Sequence, residues 1–367
     1  LFIKPRPEIE RLDHCPHGGL DLTELKAFGL NPDRVIDFSV SSNPYSCPPG
    51  VRKILSSVAI DRYPDSEAAE FKKAIAHHLD VETDNILAGS GAMEIIRLIA
   101  LTYFGHGDTV VCFKPTFGEY EVACRISGAD VIEKWAREED RFSFNTVEME
   151  TSIRQYIPKG VFLCNPANPS GQYLKRWEVE QIIDATREGL VILDESYTAF
   201  TESRWSSSDL IARNNVVIVR SMTKDYALAG LRIGYALANR EVIAYLKRSC
   251  PPWNVNTVAQ QAGLVAIKES SYLRQCELRI KSAKKFLMAE LDRLGFNVLP
   301  SSTNFFLVKV GDARSFRSSL LRYGIIVRDC TSFGLPQYIR IATLKMDQCR
   351  RLIAVIEELR ATGRMLL

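Results

Sequence analysis

Leu190-Val191-Ile192-Leu193-Asp194-Glu195-Ser196-Tyr197 is apolar through its first half and then closes on two acids. An apolar run this short, with no polar alternation, fits a strand buried on both faces, the setting of a parallel sheet covered by helices. Working outward, Thr109 to Phe113, Gly160 to Asn165 and Asn215 to Arg220 have the same character, and amphipathic helix-like stretches separate them. The alternation predicts an α/β fold with a mainly parallel central sheet. Ligands of such folds bind at the carboxyl edge of the strands, which is where Asp194 points. The plainer role for an Asp in this position is a helix N-cap.

The flanks read differently. Residues 1 to 44 carry prolines at 5, 7, 16 and 32 with little periodicity, and are expected to form an N-terminal arm lying on a neighbour or on the smaller domain. Residues 45 to 256 form the large α/β domain on this reading, and Pro251-Pro252 breaks the chain near its end. A helical pattern from Thr257 to about Leu294 opens a smaller α+β domain, residues 257 to 367. There Asn304 to Val310, Ile325 to Asp329 and Tyr338 to Ala342 read as strands, and Asp312 to Tyr323 and Met346 to Thr362 as helices.

Composition removes several classes of function. The net charge of +3 arises from 47 basic and 44 acidic residues spread along the chain, with no basic stripe for nucleic acid. No apolar run is long enough to span a membrane, and Leu1 to Pro7 lacks the layout of a signal peptide, so the cytoplasm is the expected compartment. The nine cysteines are odd in number and form no CxxC pair, which points to reduced thiols. His14, His17, His77, His78 and His106 stand in no metal-ligand spacing on a helix face, so no metal site is expected.

The chemistry concentrates in Arg220-Ser221-Met222-Thr223-Lys224-Asp225-Tyr226-Ala227 and the following Ala229-Gly230-Leu231-Arg232-Ile233-Gly234-Tyr235. One lysine stands among small hydroxyls at a strand end, with an arginine after a glycine. A lysine that forms an imine needs an open approach, and hydroxyls with a guanidinium make a seat for phosphate. Alone, the string also fits a surface lysine after a strand. Gly89-Ser90-Gly91-Ala92-Met93-Glu94 opens a helix after a short strand, Asn85 to Ala88, and free N–H groups at a helix start receive phosphate. Cys164-Asn165-Pro166-Ala167-Asn168-Pro169-Ser170-Gly171 is turn chemistry at the sheet edge that carries Asp194, where an Asn amide can donate to a ring oxygen. Phe117, in Lys114-Pro115-Thr116-Phe117-Gly118-Glu119-Tyr120, follows a strand and offers either a stacking face or a core ring.

In this order, from about Asp37 to Ala342, these segments resemble the fold-type I pyridoxal-phosphate enzymes of the class I/II aminotransferase family. The resemblance implies that pyridoxal 5′-phosphate is the cofactor and that Lys224 carries it covalently. It makes Asp194 the partner of the pyridine nitrogen and Asn168 and Tyr197 the partners of the ring hydroxyl. Phe117 would stack on the ring, and Gly91, Ala92, Met93, Ser221, Thr223 and Arg232 would surround the cofactor phosphate. It implies a homodimer in which a tyrosine from the partner subunit reaches that phosphate, and Tyr63 in Arg62-Tyr63-Pro64-Asp65 matches its motif. Arg340 matches the arginine for the substrate α-carboxylate.

Two kinds of relative share a phosphorylated substrate, histidinol-phosphate aminotransferases and threonine-phosphate decarboxylases. The details resemble the second: His17-Gly18-Gly19, Asp37-Phe38-Ser39 to Asn43-Pro44, Pro252-Trp253-Asn254-Val255-Asn256 and the Arg-x-Cys at Arg328. That likeness implies decarboxylation of L-threonine O-3-phosphate, or a close analogue such as O-phosphoserine, to the aminoalkyl phosphate of cobalamin biosynthesis. The alternative is a histidinol-phosphate aminotransferase using 2-oxoglutarate and glutamate. His17, Asn43, Arg328 and Arg340 are the candidate substrate-binding residues, since a doubly charged oxyanion favours cations and forked donors. Ser41 stands where the family has Asn, near the substrate side chain. The two reactions diverge by which bond at the α-carbon stands perpendicular to the cofactor ring, because only its electrons delocalise into the ring.

Overall fold

Strands made wholly of apolar residues must be covered on both faces, and the centre of the molecule is built that way. The computed structural model describes residues 3–13 and 15–363; His14 and residues 1, 2 and 364–367 lie outside it. In chain order the strands are β1 (Ile36–Asp37), β2 (Ile86–Gly89), β3 (Thr109–Lys114), β4 (Asp130–Trp135), β5 (Gly160–Cys164), β6 (Leu190–Asp194), β7 (Val216–Ser221), β8 (Gly234–Ala238), β9 (Asn297–Val298), β10 (Phe305–Lys309), β11 (Ile325–Ile326), β12 (Arg328–Asp329) and β13 (Tyr338–Ala342).

The main sheet has seven strands in the order β2-β8-β7-β6-β5-β3-β4. β7, β6, β5, β3 and β4 pair in parallel, while β8 runs antiparallel to both its neighbours. The fold is therefore α/β with a mainly parallel sheet, as the apolar runs predict. Alternate residues feed opposite cores. Val111, Leu163, Val191 and Ile218 pack with helices Ala69–Leu79, Thr146–Tyr156, Arg176–Thr186 and Thr257–Lys268. Val110, Phe162, Ile192 and Val217 pack with helices Ala92–Tyr103, Glu119–Ser127 and Arg240–Ser249. Each such side chain, fully buried, contributes about 1.5–3 kcal/mol. In register, Asp194 stands beside Cys164 on one side and Val219 on the other, so the loops that follow β5, β6 and β7 emerge together.

A four-stranded antiparallel sheet, β12-β13-β10-β9, forms a second layer with helices Ser270–Arg293, Ala313–Leu321 and Met346–Ala361. Its core holds Leu287, Phe306, Ile339, Ile341 and Ile356. Residues 21–38 pack on this unit. β1 pairs in parallel with β11, Leu25 is buried with Leu321 and Ile326, and Arg317 forks onto both oxygens of Glu24.

Three local features differ from the sequence reading. The strand expected from Ile325 to Asp329 divides at Val327, because β11 pairs with β1 while β12 joins β13. The long helix from Thr257 divides at Glu269, whose φ of −99° and ψ of 40° leave the helical region. β1, β4, β8 and β9 have no counterpart among the expected strands: β1 and β9 are two residues long, β4 is an edge of mixed residues, and β8 is short and rich in Gly and Ala. Among the described residues no helix is long and apolar enough to cross a membrane.

Candidate active site

The carboxyl edge of β2, β3, β5, β6 and β7 opens into a cavity of about 340 Å³. Its wall gathers Ala92, Met93, Phe117, Asn168, Asp194, Tyr197, Ser221, Thr223, Lys224 and Arg232 from the main sheet, Arg328 and Arg340 from the second, and His17 from the arm. These residues come from widely separated stretches of sequence; the parallel sheet gathers its own loops on one edge, and the second sheet and the arm add the rest.

One end of the cavity is built for a phosphate. Helix Ala92–Tyr103 starts there with Gly91 as N-cap, at a φ of 80° and with no side chain capping the first turn. A Cβ on Gly91 would lie 2.7 Å from Arg232 Nη2, so the glycine, which also suits the positive φ, leaves room for the guanidinium beside the helix start. Ser221 and Thr223 share a hydroxyl hydrogen bond of 2.7 Å beside it. Uncapped N–H groups, two hydroxyls and a guanidinium are the donor set an oxyanion requires.

At the centre stands Asp194, 4% exposed. Its Oδ2 accepts from the Tyr120 hydroxyl at 2.6 Å and its Oδ1 from the Ser196 N–H at 2.9 Å. Burial raises its pKa above the ordinary carboxylate range, against the hydrogen bonds of Ser196 and Tyr120 and the charge of Lys224, which pull the other way. Among the described residues no cation stands within ion-pair distance of it. A buried acid in that position suits a protonated ring nitrogen. Tyr120 was not among the expected site residues. It is the second residue of helix Glu119–Ser127, stacks on Phe162 at 4.8 Å between ring centroids, and burial pushes the pKa of its phenol up. Its place inside a helix opening, and not at a strand end, carries no signal in the sequence for a contact with Asp194.

Arg328 and Arg340 face each other directly across β12 and β13. Arg340 is 6% exposed; it donates to Asn168 Oδ1 and to the Ser39 carbonyl, and its Nε has no partner. Arg328 Nη2 donates to the Pro16 carbonyl at 2.6 Å and to Ser332 Oγ at 2.7 Å. Burial, and then the charge of Arg340, hold the Arg328 pKa below its usual value. Like charges placed opposite on adjacent strands repel, and among the described residues neither arginine has an ion-pair partner. The arrangement calls for an anion from outside the chain.

The remaining expected site residues are placed otherwise. Asn43 does not line the cavity. Its Nδ2 donates to the Asp225 carbonyl at 2.9 Å and its N–H to the Lys224 carbonyl at 2.7 Å, so it fixes the loop that carries Lys224. Tyr63 is 78% exposed and stacks on Trp253 at 4.4 Å, away from the cavity of its own chain. His17 lines the cavity, with its Nε2 3.0 Å from Glu119 Oε1 and its ring 5.9 Å from Phe117, so one of its nitrogens is already paired with a carboxylate. Ser41, buried and with an unpartnered hydroxyl, lines the cavity.

The profile of class I and II aminotransferases matches residues 33–356. The chain belongs to that family. Its cofactor is pyridoxal 5′-phosphate, and the phosphate seat, the buried acid and the lysine just described fit that group. The histidinol-phosphate aminotransferase of Methanocaldococcus jannaschii is 31% identical over 366 residues, 97% of each chain. The structure of the histidinol-phosphate aminotransferase of Sinorhizobium meliloti in complex with pyridoxal-5′-phosphate superposes with a TM-score of 0.87 at 23% identity, over 98% of this chain and 99% of that one. The L-threonine-O-3-phosphate decarboxylase of Porphyromonas gingivalis superposes with a TM-score of 0.77 at 27% identity, over 88% of this chain and 98% of that one.

These findings overturn the expectation of a threonine-phosphate decarboxylase. Curated relatives at 31% to 33% identity over most of the chain are histidinol-phosphate aminotransferases. The features that suggested the decarboxylase have architectural duties here: His17 pairs with Glu119, Asn43 ties down the Lys224 loop, and Arg328 docks the arm through Pro16. Such duties are independent of the bond that is broken.

Proposed function

We propose that the protein is an aminotransferase that moves an amino group between histidinol phosphate and the 2-oxoglutarate and glutamate pair. The observation that carries the reading is the facing pair Arg328 and Arg340, two guanidinium groups without an acid at the mouth of the lysine cavity. Each half of the exchange brings an anion: a phosphate on one substrate, a carboxylate on the other. A forked guanidinium binds both geometries. Relatives at 31% to 33% identity that are named for this reaction support the choice.

Bound pyridoxal phosphate would supply an electron sink for the bond broken at the substrate carbon that bears the amino group. Gly91, Ala92, Met93, Ser221, Thr223 and Arg232 would hold its phosphate, Asp194 would keep its nitrogen protonated, Asn168 and Tyr197 would meet its ring hydroxyl, and Phe117 would cover its face. Lys224 would carry the cofactor covalently and then move the proton taken from the substrate carbon. The Tyr120 hydrogen bond favours the ionised form of Asp194 against the effect of burial. Arg340 orients Asn168 while it receives the substrate anion.

A homodimer belongs to the same reading: Tyr63, too exposed to serve its own cavity, would reach the phosphate seat of the partner subunit. The nine unpaired cysteines are in keeping with the reducing cytoplasm. The test is glutamate formation from 2-oxoglutarate with histidinol phosphate or with histidinol as donor. Each lost charge-assisted hydrogen bond costs about 1.5–3 kcal/mol, so removing the phosphate is expected to lower kcat/KM by at least about a hundredfold. Equal turnover of the two donors would refute the reading.

A further inference from the structure

Cys15 and His17 belong to the arm segment that Arg328 holds through the Pro16 carbonyl. Across the mouth of the cavity, Glu119 begins helix Glu119–Ser127 and is 8% exposed. One ligand atom from each of these three side chains lies within 4.8 Å of the other two. Arg97 holds Glu119 Oε2 at 2.7 Å, which leaves Oε1 turned toward the His17 ring. Cys15 Sγ is set against Gly118, where a Cβ would lie only 2.8 Å from the sulfur, so the glycine before Glu119 makes room for the thiol.

We propose that Cys15, His17 and Glu119 form a binding site for Zn²⁺ at the mouth of the cofactor cavity, and that its occupation reversibly inhibits the enzyme. Thiolate, imidazole and carboxylate are the three ligand types zinc accepts, at bond lengths of about 2.0–2.3 Å, which place ligand atoms about 3.3–3.7 Å apart. The longest separation in the cluster has to shorten by about 1 Å to reach that spacing. His17 and Glu119 are already in contact at 3.0 Å, so the approach is made by the Cys15 sulfur, and the half-exposed His17 side chain can adjust to it. The sulfur gives up its proton to solvent as the metal bond forms, and no electron is transferred. One thiolate and one carboxylate balance the dication, while Arg97 keeps the second carboxylate oxygen. A fourth position stays open to water.

The position gives the site its consequence. Cys15, Pro16, His17, Gly18 and Arg328 line both the inner cavity and an outer one of about 870 Å³. A metal bridging Cys15 and His17 to Glu119 fastens the arm to the helix at this shared passage. Glu119 lies about a hundred residues from the Cys-x-His pair in the chain, and only the fold brings it close.

The experiment titrates cofactor-loaded enzyme with ZnCl₂ against a chromophoric chelator, and follows turnover in parallel. The wild type is expected to withdraw one equivalent of zinc more than Cys15→Ser, with affinity reduced by at least about tenfold in Glu119→Gln. Cys47→Ser and Cys250→Ser, which alter two other partly exposed thiols, should bind as the wild type does. Zinc should slow the wild type, a chelator should restore it, and Cys15→Ser should be indifferent to the same addition. Equal stoichiometry and affinity in the wild type and Cys15→Ser would overturn the site. Zinc bound through Cys15 without any slowing would overturn its inhibitory role.

Discussion

Replacing Tyr120 by Phe removes one hydroxyl and leaves the ring stacked on Phe162, so it isolates a single interaction. The hydroxyl donates to Asp194 Oδ2 at 2.6 Å inside the protein, and the Ser196 N–H donates to Oδ1 at 2.9 Å. A hydrogen bond to a charged acceptor contributes about 1.5–3 kcal/mol, equivalent to about a ten- to hundredfold change in a rate or equilibrium constant. Burial already raises the Asp194 pKa, and the hydroxyl opposes that rise. Without it the pKa climbs further, so the acid takes up its proton at a higher pH and no longer supports a protonated ring nitrogen. The acid limb of kcat/KM is therefore expected to move to higher pH, with a loss of about ten- to hundredfold on that limb and a smaller loss on the alkaline side. The assay is kcat/KM for the amino-group exchange across the acid-to-neutral range, together with thermal unfolding of the cofactor-loaded protein. An unmoved acid limb would refute the reasoning, and a fall in Tm without that movement would reduce Tyr120 to a packing residue.

Other outcomes follow from the same geometry. Lys224→Ala is expected to abolish turnover and to release the cofactor on dialysis, whereas borohydride should fix it to the wild-type chain as a mass increment; a variant with normal turnover would remove the lysine from the mechanism. Arg340→Lys keeps the charge but loses the fork that spans Asn168 and Ser39, and should lower kcat/KM for both substrates by about tenfold or more. Arg328→Ala should weaken the phosphorylated substrate about tenfold while leaving glutamate within about twofold; equal losses on both would argue against a phosphate role. Asn43→Ala, which breaks the tie to the Asp225 carbonyl, should cost about 1–3 kcal/mol of stability and lower kcat more than it raises KM.

Much of the site was legible because a parallel sheet sends its loops to one edge, so that each apolar run ending in Asp194, Ser221 or Cys164 announced a place in the cavity before any distance was known. What stayed hidden depended on side chains crossing between elements. Tyr120 reaches Asp194 from a helix opening, and the Arg328 and Arg340 pair exists only because β12 and β13 align in that register. Asn43 shows the opposite failure, since a motif match near the substrate turned out to hold backbone. The decarboxylase expectation failed for a related reason: of the residues that suggested it, Arg328 docks the arm through Pro16, His17 pairs with Glu119 and Asn43 ties down the Lys224 loop. The split at Val327 was likewise out of reach, because an apolar run does not reveal which of two sheets each half will join.

The most direct test of the account is a half-reaction. Cofactor-loaded enzyme is mixed with histidinol phosphate in the absence of any keto acid while the cofactor absorbance is recorded. The account predicts a single conversion equal to the enzyme concentration, which stops, and then reverses with formation of glutamate when 2-oxoglutarate is added. An absorbance that does not change with histidinol phosphate, or turnover that continues without a keto acid, would contradict it.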